Sequence, residues 1–142
     1  MAVSDRGHSA RVDVNDSCGL HVHASRGWLS DRDWADVAAW LETFGDHAMK
    51  TWFWREPNNF CENYFSANSK YVQINLTHEN TVEFRGFAST TRTSKIQFAV
   101  EFVHAIIAAK TDGTLRGKTL NDIAADVAQA RPDLFDLIVA RA

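Results

Sequence analysis

Apolar and polar residues alternate most regularly across residues 70–87, KYVQINLTHENTVEFRGF. Val72, Ile74 and Leu76 alternate with Tyr71, Gln73 and Asn75. After the polar spacer His78-Glu79-Asn80 the alternation resumes, with Val82 and Phe84 on one side and Thr81, Glu83, Arg85 and Phe87 on the other. A period of two in β-branched and aromatic residues predicts half-buried strands, and the spacer predicts a hairpin turn. Residues 18–25, CGLHVHAS, predict a core strand with Leu20, Val22 and Ala24 on one face and Gly19, His21, His23 and Ser25 on the other. A shorter alternation over 11–15 sets Val12 and Val14 opposite Asp13 and predicts a further strand.

The period then changes. Ser30-Asp31-Arg32-Asp33 resembles a capping box, and Trp34, Val37, Ala38, Leu41 and Phe44 form an amphipathic stripe that Gly45 closes. Residues 49–54 are aromatic and read as buried; Pro57-Asn58-Asn59 breaks the chain, and 60–69 fits either helix or loop. Beyond the hairpin, Thr93 is a candidate N-cap. Ile96, Ala99, Val100, Val103, Ile106 and Ile107 predict a helix to about Ala109, followed by a turn at Asp112-Gly113. Thr119 with Asp122 caps a helix bearing Leu120, Ile123, Ala124 and Val127, and Pro132 opens a last short one with Leu134, Leu137 and Ile138 inward. The order predicts an α+β fold, an antiparallel sheet with helices packed on one side.

Composition narrows the picture. The 142 residues suit one domain, 11–142, behind a flexible N-terminal arm at 1–10. A net charge of −3 removes the electrostatic term that nucleic acid binding relies on. No apolar run approaches the ~20 residues of a membrane span, and the polar start predicts no signal peptide. Two cysteines make no disulfide framework, so a reducing cytoplasm is the expected compartment. Five Trp and nine Phe predict a thick core or an apolar surface for a partner.

The candidate chemistry sits on the polar faces of the strands. Glu83 and Arg85, two apart, project to one side about 6–7 Å from each other at the backbone, and can hold one polar ligand between them. The plainer reading is a solvated sheet face with an ordinary ion pair. His21 and His23 are likewise two apart; with Glu83 they make an acceptable divalent-metal set, although imidazole does not select Mg²⁺. A histidine pair of this spacing also occurs as structural, hydrogen-bonded histidines. Cys18 three residues before His21 invites a zinc reading with Cys61 as fourth ligand, but no second Cys-x-x-Cys or histidine pair completes the set, and no local motif marks either cysteine as a nucleophile. Trp52-Phe53-Trp54 reads as core, with stacking on a base or sugar as the alternative. There is no Gly-rich phosphate loop of the common types.

Three stretches in this order resemble the amidoligase family, a branch of the glutamine-synthetase-like carboxylate–amine ligases. They are Cys18-Gly19-Leu20-His21-Val22-His23-Ala24-Ser25-Arg26, Lys70-Tyr71-Val72-Gln73-Ile74-Asn75-Leu76 and Asn80-Thr81-Val82-Glu83-Phe84-Arg85-Gly86-Phe87, followed by the helix over 95–108. The resemblance covers about 17–109 and implies part of a glutamine-synthetase-like catalytic sheet. It further implies that His21 and Glu83 ligate Mg²⁺ or Mn²⁺, that His23 contacts ATP, and that Arg85 contacts phosphate or substrate and is catalytic. Lys70, Arg26 and Arg92 are further candidates for phosphate contact.

The implied reaction is ATP-dependent amide formation between carboxylate and amine substrates. One departure stands out: family members carry an early Glu-x-Glu strand that completes the metal site, and Asp13 and Asp16 do not form that pattern. The chain therefore looks like the C-terminal half of a ligase domain, truncated or split, that pairs with a second chain or with itself. The alternative is a non-catalytic interaction or regulatory module, and a weaker one a zinc-binding structural domain.

Overall fold

The computed structural model describes residues 19–55, Cys61 and residues 73–140, which form an α+β architecture with one small antiparallel sheet. The arm at 1–10, the strand at 11–15, Asp13, Asp16, Cys18, the break at 57–59, most of 60–69 and Lys70, Tyr71 and Val72 lie outside the described residues. Strands β1 (Gly19–Ser25), β2 (Ile74–Asn75) and β3 (Thr81–Ala88) lie in the order β1-β3-β2. The predicted hairpin is present, with Ile74 opposite Phe84 and Asn75 opposite Glu83. Its first strand is short among the described residues. Gln73 extends the pairing by accepting a 2.6 Å hydrogen bond from the Arg85 amide.

Strict alternation fails at one point of β3. Leu20 pairs with Phe87 but Val22 pairs with Phe84, so Arg85 and Gly86 together oppose the single residue His21. This is a β-bulge, which adds one residue to one strand of a pair. Directly opposed residues share a face, so Leu20, Val22 and Ala24 meet Phe87, Phe84 and Val82 on the core side. Phe87, expected on the polar face, is therefore buried in the core at 3% exposure. The bulge resets the parity.

The helices cover that apolar face. Helix α1 (Asp31–Glu42) starts at the predicted capping box: the Asp33 amide donates to Ser30 Oγ at 3.1 Å, and the Ser30 amide to the Asp33 carboxylate at 2.9 Å. Trp34, Val37, Ala38 and Leu41 are buried, and the Trp34 ring meets Phe84 edge-on at 6.4 Å. Gly45 does not close α1. That helix ends at Glu42, and Gly45, at φ +70°, re-aims the chain into a second helix, α2 (Gly45–Trp52).

Helix α3 (Thr93–Asp112) runs past the predicted end, and Gly113 at φ +83° terminates it. Thr93 is its first residue rather than its cap. Its buried stripe is Phe98, Ala99, Phe102, Val103, Ile106 and Ala109, whereas Val100 is 48% exposed. The helix is apolar on more than one side, so period alone chose a stripe rotated from the true one. Phe98 and Phe102 join Trp52, Phe53 and Phe87 in one aromatic cluster with ring separations of 4.7–6.4 Å. After a 3₁₀ turn at Leu115–Gly117, α4 (Leu120–Ala130) begins at the Thr119/Asp122 capping box and buries its four predicted residues. A second 3₁₀ turn, Pro132–Leu134, leads into α5 (Phe135–Val139), with Leu134 and Ile138 buried. No described helix is long and apolar enough to cross a membrane.

Candidate functional site

The opposite face of the sheet carries the polar residues. Glu83 lies mid-way along β3 with His23 directly across from it on β1. Its Oε2 is 3.0 Å from His23 Nε2 and 3.6 Å from His21 Nδ1. Its Oε1 faces the other way, toward Asn75 Nδ2 at 3.3 Å and Arg85 Nη1 at 3.2 Å. The carboxylate is thus divided, one oxygen to an amide and a guanidinium, the other to two imidazoles. The Glu83 side chain is 8% exposed, and those of His21 and His23 are 33% and 51% exposed. A buried, oriented anion lies beneath two reachable imidazoles.

The neighbours explain how so buried a carboxylate stays charged. Burial pushes Glu83 up, but the Asn75 hydrogen bond and the His21, Arg85 and His23 charges outweigh it and hold the carboxyl below the ordinary glutamate range. Burial lowers His21, and Arg85, Arg55 and His23 lower it further, against the opposing pull of Glu83. Neutral imidazole, the form that binds metals, is thereby favoured at His21.

A frame beneath the site fixes these groups. Asn75 Oδ1 accepts from the Thr77 amide at 2.9 Å and from the Thr77 hydroxyl at 2.7 Å, so the amide is locked in one orientation. The Arg85 carbonyl, at the bulge, takes a 2.8 Å hydrogen bond from Arg55 Nη1. Arg55 is itself buried and abuts Gly19, where a Cβ would collide with the guanidinium. Gly86 is also crowded, though less so, its missing Cβ lying 3.0 Å from Gln73 Oε1 and 3.2 Å from Phe53 Cδ2. Sequence reasoning missed Arg55, which follows an aromatic run in a segment with no periodicity. Gln73 and Asn75 were legible as the polar face of their strand; that both amides are buried is seen only in the structure.

The structure therefore brings together His21, His23, Glu83 and Arg85, and it gives other partners to Arg26, Cys61 and the aromatic run. Arg26 donates to the Leu76 carbonyl at 2.7 Å and to the His78 carbonyl at 2.8 and 3.1 Å, and pairs with Asp31 at 3.0 Å. It staples the β2–β3 turn to the end of β1. Arg92 sits exposed before α3, and Lys70 is outside the described residues. Cys61 is fully buried and burial pushes its thiol up, which suits neither a nucleophile nor a zinc ligand. Trp52 and Phe53 are core residues, and Trp54 lies beneath Lys95 Nζ, 4.8 Å from the ring centre, so none of the three offers a stacking platform beside Glu83. Comparison with protein-family models, curated proteins and solved structures finds no match.

Proposed function

We propose that this site belongs to an ATP-dependent carboxylate–amine ligase of the amidoligase, glutamine-synthetase-like type. The observation that supports this reading is that the Gly-x-His-x-His and Glu-x-Arg motifs, some 60 residues apart, converge on one carboxylate. His21 and Glu83 would hold the divalent cation, and His23 and Arg85 the nucleotide phosphates. The donor set fits Mn²⁺, which accepts imidazole, better than Mg²⁺, which prefers oxygen. A bound cation would neutralise charge on the phosphates. The Arg85 guanidinium meets the charge that grows as a substrate carboxylate attacks the γ-phosphate and ADP leaves; an amine then attacks the acyl phosphate, gives up a proton and expels inorganic phosphate to leave an amide. Glu83 orients Arg85 through its 3.2 Å contact.

A second reading, a binding module without catalysis, is favoured by the acid count: Glu83 is the one carboxylate in the cluster among the described residues. In the ligase reading, further acidic ligands come from outside the described residues or from a second chain. Calorimetry with ATP separates the two. Mn²⁺ and ATP should bind together more tightly than either alone, Glu83→Ala should abolish the metal-dependent part, and Arg85→Ala should weaken ATP even without metal. Absence of ATP binding near millimolar concentrations with either Mn²⁺ or Mg²⁺ would leave the binding-module reading.

A further inference from the structure

His23 is more than a nucleotide contact in this geometry. We propose that His21, His23 and Glu83 together form a three-ligand seat for a transition cation of the Zn²⁺ class, filled without any nucleotide. The inference rests on the same cation position as the ligase reading, but it changes the role of one residue and the kind of ion.

The first argument is distance. A tetrahedral site with bonds of about 2.1 Å needs donors about 3.4 Å apart. The separations from Glu83 Oε2 to His23 Nε2 and His21 Nδ1, 3.0 and 3.6 Å, bracket that value. All three candidate donor atoms lie within 4.8 Å of one another, and the half-exposed His23 ring, 6.1 Å from the His78 ring, would close the remainder by rotation.

The second is orientation. Asn75 and Arg85 occupy Oε1, so Glu83 can offer a single, aimed oxygen, and Asn75 is itself held by Thr77. Such outer partners commonly position metal-binding carboxylates and sharpen their affinity. The third is donor chemistry. Two imidazoles and one carboxylate are the set found in open zinc sites and in facial metal triads, and they disfavour Mg²⁺. Three protein donors also leave one position open. That vacancy is where water, a phosphate oxygen or a substrate carboxylate would attach.

Cobalt(II) absorption tests the inference directly, on chain stripped with a chelator and freed of nucleotide. Co²⁺ should give visible bands at one equivalent, one equivalent of Zn²⁺ should bleach them, and millimolar Mg²⁺ should leave them in place. His23→Ala and His23→Gln should each weaken Co²⁺ roughly tenfold or more, while His104→Ala, on the exposed side of α3, should not. Far-UV circular dichroism confirms that the variants are folded. Absence of bands at about 100 µM, displacement by equimolar Mg²⁺, or unchanged Co²⁺ affinity in folded His23 variants would each overturn the proposal. Nucleotide-free Co²⁺ binding without Mn²⁺–ATP binding would support it and remove the ligase reading. Mn²⁺–ATP binding that needs His21 and Glu83, without Co²⁺ binding, would do the reverse.

Discussion

Asn75 holds the Glu83 carboxylate from the neighbouring strand, its Nδ2 donating to Oε1 at 3.3 Å while its own oxygen accepts twice from Thr77. One side chain, 2% exposed, thereby orders the anion and the entrance to the turn. Removing it takes away three hydrogen bonds, one of them charge-assisted to the buried Glu83 oxygen that Arg85 also contacts, and each contributes about 0.5–3 kcal/mol. Asn75→Ala should therefore lower the urea unfolding free energy by roughly 2–4 kcal/mol and raise the Glu83 carboxyl, which carbon NMR of the labelled side chain would report.

Acid should destabilise the metal-free chain in two stages. His21 is lowered in the folded state, so its contribution is complete above the ordinary histidine value of about 6.5 and fades as pH falls through its folded value. Glu83 is also lowered, so its contribution is complete above about 4.3 and is lost as pH falls through the depressed value. Both slopes have the same sign: the urea midpoint, followed in a chelator from pH 8 to pH 3, should only decrease. Asp33, Asp112, Asp122 and Asp133, held low by their own hydrogen bonds, add to the lower stage with the same sign, so Glu83→Gln should reduce that stage without removing it. An unchanged acid limb in that variant would contradict the assignment.

Arg26 and Arg85 should separate cleanly. Arg26→Ala loses the bonds to the Leu76 and His78 carbonyls and should cost about 1–3 kcal/mol of stability. Its Mn²⁺–ATP affinity, measured well below the unfolding midpoint, should stay within about twofold, as expected when a change sits away from the ligand. Arg85→Ala should show the larger loss in nucleotide affinity.

The two candidate faces of α3 can be tested against each other. Phe102 is fully buried among Trp52, Phe53, Phe87 and Phe98, and Phe102→Ala should cost about 3–5 kcal/mol and lower the melting temperature by roughly 10 °C. Val100→Ser, on a residue 48% exposed, should change stability by less than about 0.5 kcal/mol.

Residue patterns carried much of this structure. Short-range rules found both capping boxes because Ser30/Asp33 and Thr119/Asp122 are closed by groups within one turn of chain. The faces of β1 were legible because the strand alternates without interruption, and so was the convergence of Glu83 with Arg85. Phe87 was misplaced because a bulge depends on the partner strand, which local alternation does not contain. The stripe of α3 was misjudged because Val100 and Phe102 are both apolar, and only the neighbours decide which is covered. Arg55 was invisible for the same reason: its role depends on a carbonyl thirty residues away. Arg26 showed the converse, a cation whose charge invited a ligand and whose partners are the chain's own carbonyls.

The bulge at Arg85-Gly86 makes this strand unequal in its tolerance of length changes. Deletion of Gly86 would leave Arg85 alone opposite His21 and restore a regular ladder, bringing Phe84 and Phe87 from three apart to two apart with both still on the core side. Loss of one codon there would keep the fold's hydrophobic face and seat the guanidinium beside an imidazole. Loss of a residue within 81–84 would instead exchange the two faces of the strand's first half and turn charge toward Trp34. Within eight residues, the same kind of lesion would rewire the site at one end and unfold the domain at the other.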